Sequence, residues 1–422
     1  MAATGCSGGE GPVRIGLLTD CRGLFTGYED GALAGAELPL LERGARLTNG
    51  RPSGGVSKAR VAGRDVELVR GCTESSEFTI LVEEARRLVE AEGVDAVVGP
   101  ISEADGLEVR ELARKHPDVV FIPAWSGAQE LTLRHPAANV YRFDTDEAQD
   151  VAGLGSYAYR ELGWRSATVV ADPSAVGWQE EAAFVAEFCA LGGKVTARLS
   201  TWSDFGKPAP ARSLGQADGV AVLAYGGLFS PPAGFVPALV RAVGSPRTRM
   251  VVGSYVLDDS NTLAPVTGLP VGVVGASSIP PADATRAMRA YRTAFSTAFP
   301  GLPLADAQTP IVLAFHDAME GLLRGIEAAD GDLSDGRRRL REELARVRFN
   351  APSGPVRLDR NRQAVRSTYL QRVSADGGKR VFRLVRVVPD VEQTFGGLLS
   401  NAPAPGPGSQ PCRKASPPRW AR

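Results

Sequence analysis

A chain of 422 residues has material for two or three domains with sizeable cores, which excludes a peptide hormone or a scaffold held by disulfides alone. Lysine plus arginine total 48 and aspartate plus glutamate total 48, so the formal net charge is zero, and without a strongly basic block nucleic acid is not expected as a partner. Hydrophobic residues at 43% and charged residues at 23% match folded globular proteins, and no run reaches the roughly 18 apolar residues of a membrane-spanning helix.

In chain order, the first apolar segment begins only at Val13, so residues 1–12 contain no secretory apolar region and, taken literally, describe a cytoplasmic protein. Ala3-Thr4-Gly5-Cys6, followed by Ser-Gly-Gly, is nevertheless similar to the end of a bacterial lipoprotein signal, with Cys6 as the lipidated residue. A chance cysteine in a frayed terminus is the alternative. Short apolar runs then recur: VRIGLL at 13–18, DVELV at 65–69, DAVVG at 95–99 and DVVFIP at 118–123, each expected as a buried parallel strand. Between them Phe78, Leu81, Val82, Ala85, Leu88 and Val89 share one helical face, and Gly93 supplies the expected left-handed cap.

A second series follows with ATVVA at 167–171, KVTARL at 194–199, GVAVLAY at 219–225, MVVGS at 250–254 and GVVGAS at 272–277, with helical patterns at 177–191 and 232–243. Two alternating runs predict an α/β fold of two doubly wound parallel-sheet lobes. The helical patterns at 284–298, 308–327 and 334–346 come with too few strands for a third domain, so they complete the first two. VRL at 356–358, STYLQRV at 367–373 and KRVFRLVRVV at 379–388 alternate as antiparallel strands that close the second sheet. Such a chain crosses between lobes several times, which makes a hinge. The last segment, 396–422, holds six prolines after Asn401 and almost no aliphatic residues, and is expected to be disordered.

Conventional catalytic signatures are missing. His116, His135 and His316 have no metal-ligand spacing, and His316 is expected as a packed helix residue. There is no GxSxG elbow and no GxGxxG after the first strand, and Gly192-Gly193-Lys194 lacks the rest of a phosphate loop. Neither a metal nor a cofactor is expected. In open parallel sheets, ligands sit outside the carboxyl ends of the strands. The first lobe offers there 20–28, 72–77, 99–105 and 124–129; the second offers 172–178, 225–229 and 254–258. Ser126-Gly127-Ala128 presents backbone N–H groups to a ligand carboxylate, or else simply caps a helix. Tyr28 lies in the first of these loops, and of Trp125, Trp178, Tyr225, Phe229 and Tyr255 two or three are expected to wall the cleft, the others to be core.

The pattern resembles the type I periplasmic binding-protein fold, in particular the branched-chain amino-acid group of ABC-transporter solute-binding proteins. The resemblance spans about 13–395 and rests on IGLLTDCRGLFTGYEDGALAGAELPL at 15–40, VDAVVGPISEADG at 94–106, FIPAWSGAQEL at 121–131, VYRFDTDEAQDVAGLGSYAYRELGWRSATVV at 140–170 and FNAPSGPVRLDRNRQAV at 349–365. It implies capture of a small polar solute between the lobes and delivery to permease subunits, without chemistry. By position, Ser102 matches a serine that touches the ligand, Ser126 and Ala128 the loop that holds an α-carboxylate, and Tyr225 an aromatic contact from lobe two. Gly253-Ser254-Tyr255 departs from the pattern, since an acidic residue usually follows that glycine. Asp258 or Glu103 is left to meet an α-ammonium, although Ser102 and Asp105 also read as a capping box. Amides, urea-like compounds and other small metabolites stand beside amino acids as solutes.

In the topology so implied, the strands before Cys21 and Cys72 are neighbours, which predicts a Cys21–Cys72 disulfide, fitting an oxidising, exported setting; two separate thiols are the alternative. Cys189 is expected as a buried thiol and Cys412 without a role. The expected organisation is lobe one at 13–142 plus 276–350 and lobe two at 143–275 plus 351–395, in a lipoprotein on the extracytoplasmic face of the bacterial membrane, which it meets only through its lipid. A ligand-sensing regulator on the same fold, or an α/β enzyme with a dispersed site, are the alternatives.

Overall fold

The computed structural model describes residues 11–422 except 24, 75–76, 201–213, 215, 224–234, 255–256, 258–268, 378, 402–403 and 405. The chain opens with strand β1 (Val13–Arg22), helix α1 (Glu29–Glu42), a small ribbon of β2 (Arg46–Leu47) and β3 (Val56–Ser57), then β4 (Arg60–Val61) and β5 (Arg64–Glu74). Helix α2 (Phe78–Arg86), β6 (Ala96–Val98), α3 (Glu103–Lys115) and β7 (Val120–Ile122) complete the first sheet, ordered β4-β5-β1-β6-β7. Its four long members run parallel, with Ile15 opposite both Leu68 and Ala96.

The apolar run of β1 has no polar face because helices cover both sides. Ile15 and Leu17 pack toward α1 and the helix Pro310–Ala328, while Leu18 packs toward α2 and α3. Each such side chain taken out of water contributes about 1.5–3 kcal/mol. Gly35 lets α1 lie directly on the helix Pro310–Ala328: a Cβ there would stand 2.3 Å from the Val312 carbonyl oxygen. β5 lies on one side of β1 and β6 and β7 on the other, so the loops after β1 and β6 part and leave a crevice.

The second sheet repeats the plan. Helices α4 (Glu147–Asp150) and α5 (Leu154–Arg160) precede β8 (Ser166–Ala171), α6 (Ala175–Ala190), β9 (Lys194–Ser200), β10 (Gly219–Leu223), β11 (Met250–Val252) and β12 (Val274–Ser277). After the return through the helices Arg286–Ala298, Pro310–Ala328 and Arg338–Leu344 come β13 (Arg348–Ala351), β14 (Gly354–Leu358), β15 (Ala364–Asp376) and β16 (Lys379–Val391). The order is β13-β14-β15-β12-β11-β10-β8-β9, with β16 on β15. Strands β8 to β12 are parallel, and β15 joins β12 antiparallel, so the C-terminal strands extend this sheet. The crossing segments are tied together where Arg142 N–H donates to the Arg362 carbonyl (3.0 Å) and Ala364 N–H to the Arg142 carbonyl (2.9 Å).

Two expectations at the C-terminus are corrected. Cys189 is not a thiol, and Cys412 has a role: they form a disulfide with Cα atoms 5.2 Å apart. The described part of 396–422 is packed instead of disordered. The Trp420 ring meets Phe395 edge-on at 5.2 Å, Arg160 Nε donates to the Ala421 carbonyl, and Gln410 and Ala421 are buried. A proline-rich segment cannot build a core of its own, but here it borrows one: a covalent tie lowers the entropy of docking, and a few side chains then suffice. Cys21 and Cys72 pair as expected, their Cα atoms 5.3 Å apart at the ends of β1 and β5. Among the described residues no helix is long and apolar enough to cross a membrane.

Candidate functional site

A buried arginine holds the loop after β7. Arg142, without accessible surface, donates from Nη1 to the carbonyls of Ser126 and Ala128, both at 2.7 Å, from Nε to Gln363 Oε1 and from Nη2 to Thr132 Oγ1. The Gly127 carbonyl accepts from Glu147 N–H at 3.1 Å. All three carbonyls of Ser126-Gly127-Ala128 are thus engaged. In a trans peptide the N–H points opposite to its carbonyl. The N–H groups of Gly127, Ala128 and Gln129 are therefore turned away from these anchors. Gln129 N–H meets Gln179 Oε1 of α6 at 2.7 Å, whereas Gly127 and Ala128 N–H have no acceptor among the described residues. Gly127 is required by space, since a Cβ would stand 2.2 Å from Glu147 Oε1.

The expected serines serve structure more than the cleft. Ser126 is buried, its hydroxyl lies against Gly106 and reaches the Glu103 carbonyl at 3.5 Å. Ser102 is half-buried and caps α3, accepting from Asp105 N–H at 3.2 Å. The reciprocal half of the expected capping box is not made: both Asp105 carboxyl oxygens are buried without a hydrogen-bond partner, and burial pushes this carboxyl up to about 7. A complete box stands instead at Asp146–Gln149, opening α4. There Gln149 Oε1 accepts from Asp146 N–H at 2.9 Å, the return bond that Asp105 does not make.

Glu103 also departs from expectation. Its Oε1 accepts from Gln179 Nε2 at 2.6 Å, so a residue considered for a solute ammonium is engaged by a side chain of α6. Burial lifts its carboxyl to about 7, against the opposing effects of Gln179 and Arg142. Asp146, buried beside Arg142, is likewise lifted to about 7, and Asp144, near Arg366, to about 6, burial being the largest cause in each.

Tyr28, Phe25 and Trp125 form one aromatic group in lobe one: Phe25 meets Trp125 edge-on at 5.9 Å and Tyr28 at 6.4 Å. Trp125 and Gly127 line a crevice whose polar lining is Thr145, Ser278 and Ser353, the carboxyls of Asp144, Glu147 and Asp150, and one cation, Arg366. Trp178 is half-exposed in the first turn of α6. Tyr225, Phe229, Tyr255 and Asp258, like Cys6, lie outside the described residues. Gln179 and Gln129 were not singled out from the sequence, where Gln179 stands beside Glu180 and Glu181 with nothing to set it apart. His316 packs in its helix, with Nδ1 2.8 Å from Asp317 Oδ1 and its ring against Tyr291. Among the described residues no group of three or more His, Cys, Asp or Glu side chains converges to hold a metal.

Comparison with known proteins agrees with this geometry. An ABC-transporter substrate-binding protein from Sphaerobacter thermophilus superposes with a TM-score of 0.76 at 21% identity, over 90% of this chain and 99% of that one. An ABC-transporter solute-binding protein from Rhodopseudomonas palustris BisB5, solved with 3,4-dihydroxybenzoic acid, gives 0.71 at 18% identity over 91% and 99%. A leucine-binding protein from Thermotoga maritima gives 0.64 at 20% over 89% and 98%. No protein of curated function matches. The model of the periplasmic binding protein family matches residues 12–379, most of the chain, and the protein belongs to that family.

Proposed function

We propose that this protein captures a small carboxylate-bearing solute between its lobes, outside the cytoplasm, and hands it unchanged to the permease of an ABC importer. The observation that carries the reading is the run of N–H groups at Gly127 and Ala128, turned away from carbonyls that Arg142 and Glu147 hold. Fixed backbone donors of this kind receive an anion without having to reorganise. Trp125 is the aromatic wall beside them, and Tyr28 and Ser102 flank the same loops. Trp178, Tyr225, Phe229, Tyr255 and Asp258 would complete the site from lobe two.

Lobe one is 13–142 plus 276–350 and lobe two 143–275 plus 351–395 in this reading, with closure about the crossings. Leucine and 3,4-dihydroxybenzoate, bound by similar proteins, share only a carboxylate and an apolar body, which makes amino acids and aromatic acids the first solutes to test. The experiment is a thermal-shift panel of both, each paired with its neutral amide. At a hundredfold excess over Kd a true ligand adds about 2.7 kcal/mol of stability. Shifts by acids and not by their amides are expected; amides acting as well as acids would defeat the carboxylate assignment. Cys6 is the lipid attachment in this reading, checked by palmitate incorporation into the protein expressed from its own gene and its loss in C6S.

A further inference from the structure

The geometry points to Gln179 as a latch that holds the two lobes together without solute, positioning the carboxylate-receiving loop for its guest. The residue sits on α6 of lobe two, 1% exposed. Its amide is fully used: Oε1 accepts from Gln129 N–H at 2.7 Å, and Nε2 donates to Glu103 Oε1 at 2.6 Å and to the Ala175 carbonyl, one turn back, at 3.0 Å. The last bond stays within α6 and pre-orients the side chain, whereas the first two span the lobes. Each joins a different lobe-one element, the first turn of α3 and the short 3-10 turn Gln129–Leu131.

Position gives the latch its second role. The N–H groups of Gly127, Ala128 and Gln129 follow one another along the loop, and Gln179 takes the third. It therefore occupies the last of the three and leaves the N–H groups of Gly127 and Ala128 without an acceptor among the described residues. A ligand-free protein held this way has its binding-competent state already populated, and apparent affinity rises with that population. The charged groups around Glu103 are Arg142, Glu130 and Asp146, of which Glu130 is held by Arg134. An acid at position 179 would face the Glu103 carboxylate at hydrogen-bond distance, where like charges repel.

This inference rests on reading the cleft as a solute trap, but its test needs no solute. Small-angle scattering of the ligand-free protein is compared for wild type, Q179A, Q179E and the double variant E103Q/Q179E, with circular dichroism to confirm folding. The latch predicts a larger radius of gyration for Q179A and, at pH 8, for Q179E. It also predicts return to the wild-type radius in Q179E at pH 5, where the two carboxyls share a proton. The double variant should return to it at pH 8, because the amide introduced at position 103 donates to the carboxylate introduced at position 179. A folded Q179E with the wild-type radius at pH 8, or a double variant as open as Q179E alone, would overturn the latch. Failure of the solute panel with these scattering results intact would overturn the capture reading alone.

Discussion

Arg142 spends its charge on carbonyls. Asp146 Oδ2 stands 3.9 Å away, too far for a hydrogen bond, and burial lowers the pKa of the guanidinium itself. Arginine tolerates such a place because its charge is delocalised and its planar fork fits several acceptors at once. Asp105 is the opposite case, a buried carboxyl with neither oxygen bonded. Its folded-state pKa is raised to about 7, so its favourable contribution is complete below about pH 4 and is lost as pH rises through 7. Asp105→Asn removes the ionisable group and is expected to raise stability at pH 8 by roughly 1–3 kcal/mol, with a smaller gain at pH 5, where only part of the loss has accrued. Urea denaturation at the two pH values checks this; equal destabilisation at both would show that the carboxyl has a partner the structure does not reveal.

Among the elements, the pairing of α1 with the helix Pro310–Ala328 depends on one missing side chain. Gly35→Ala would drive a methyl group into the Val312 carbonyl, and since backbone cannot yield as a side-chain tip does, a loss of about 1–3 kcal/mol is expected by denaturant titration. The C-terminal segment depends on a covalent link across 223 residues of sequence. Beyond that link it is held by the Phe395–Trp420 contact, by hydrogen bonds from Arg160 to the Ala421 carbonyl and from Arg198 to the Gln410 carbonyl, and by one from Ala415 N–H to the Ala190 carbonyl. Cys412→Ser is expected to cost roughly 2–5 kcal/mol and to open 406–422 to proteolysis. Limited digestion followed by mass spectrometry reads that directly, and unchanged resistance would mean that Trp420 suffices as an anchor.

At the scale of the whole molecule, a solute that contacts both lobes favours the closed arrangement by the difference in its contacts with the two states. Addition of a thermal-shift ligand is expected to leave the wild-type radius of gyration nearly unchanged, because the latch already closes the lobes, and to shrink that of Q179A. An equal contraction in both proteins would place closure on the solute alone.

The two parallel sheets, the helices on both faces and the antiparallel return near the C-terminus were legible in order along the sequence, because strand and helix periodicity and turn chemistry are local properties. The Cys21–Cys72 bridge was legible once the topology was assumed. Three features were not: the Cys189–Cys412 link, the unreciprocated Asp105 cap and the engagement of Glu103 by Gln179. Ser102-x-x-Asp105 reads as a capping box because the pattern does not tell whether the acid turns back to the cap, and a sequence separation of 223 hides one cysteine from the other. Sequence alone thus determined the elements and their order, and pointed to a cleft at the strand ends. Which polar groups in that cleft are spent on one another was decided only by the tertiary structure, since burial and partnership depend on residues that folding brings together from distant parts of the chain.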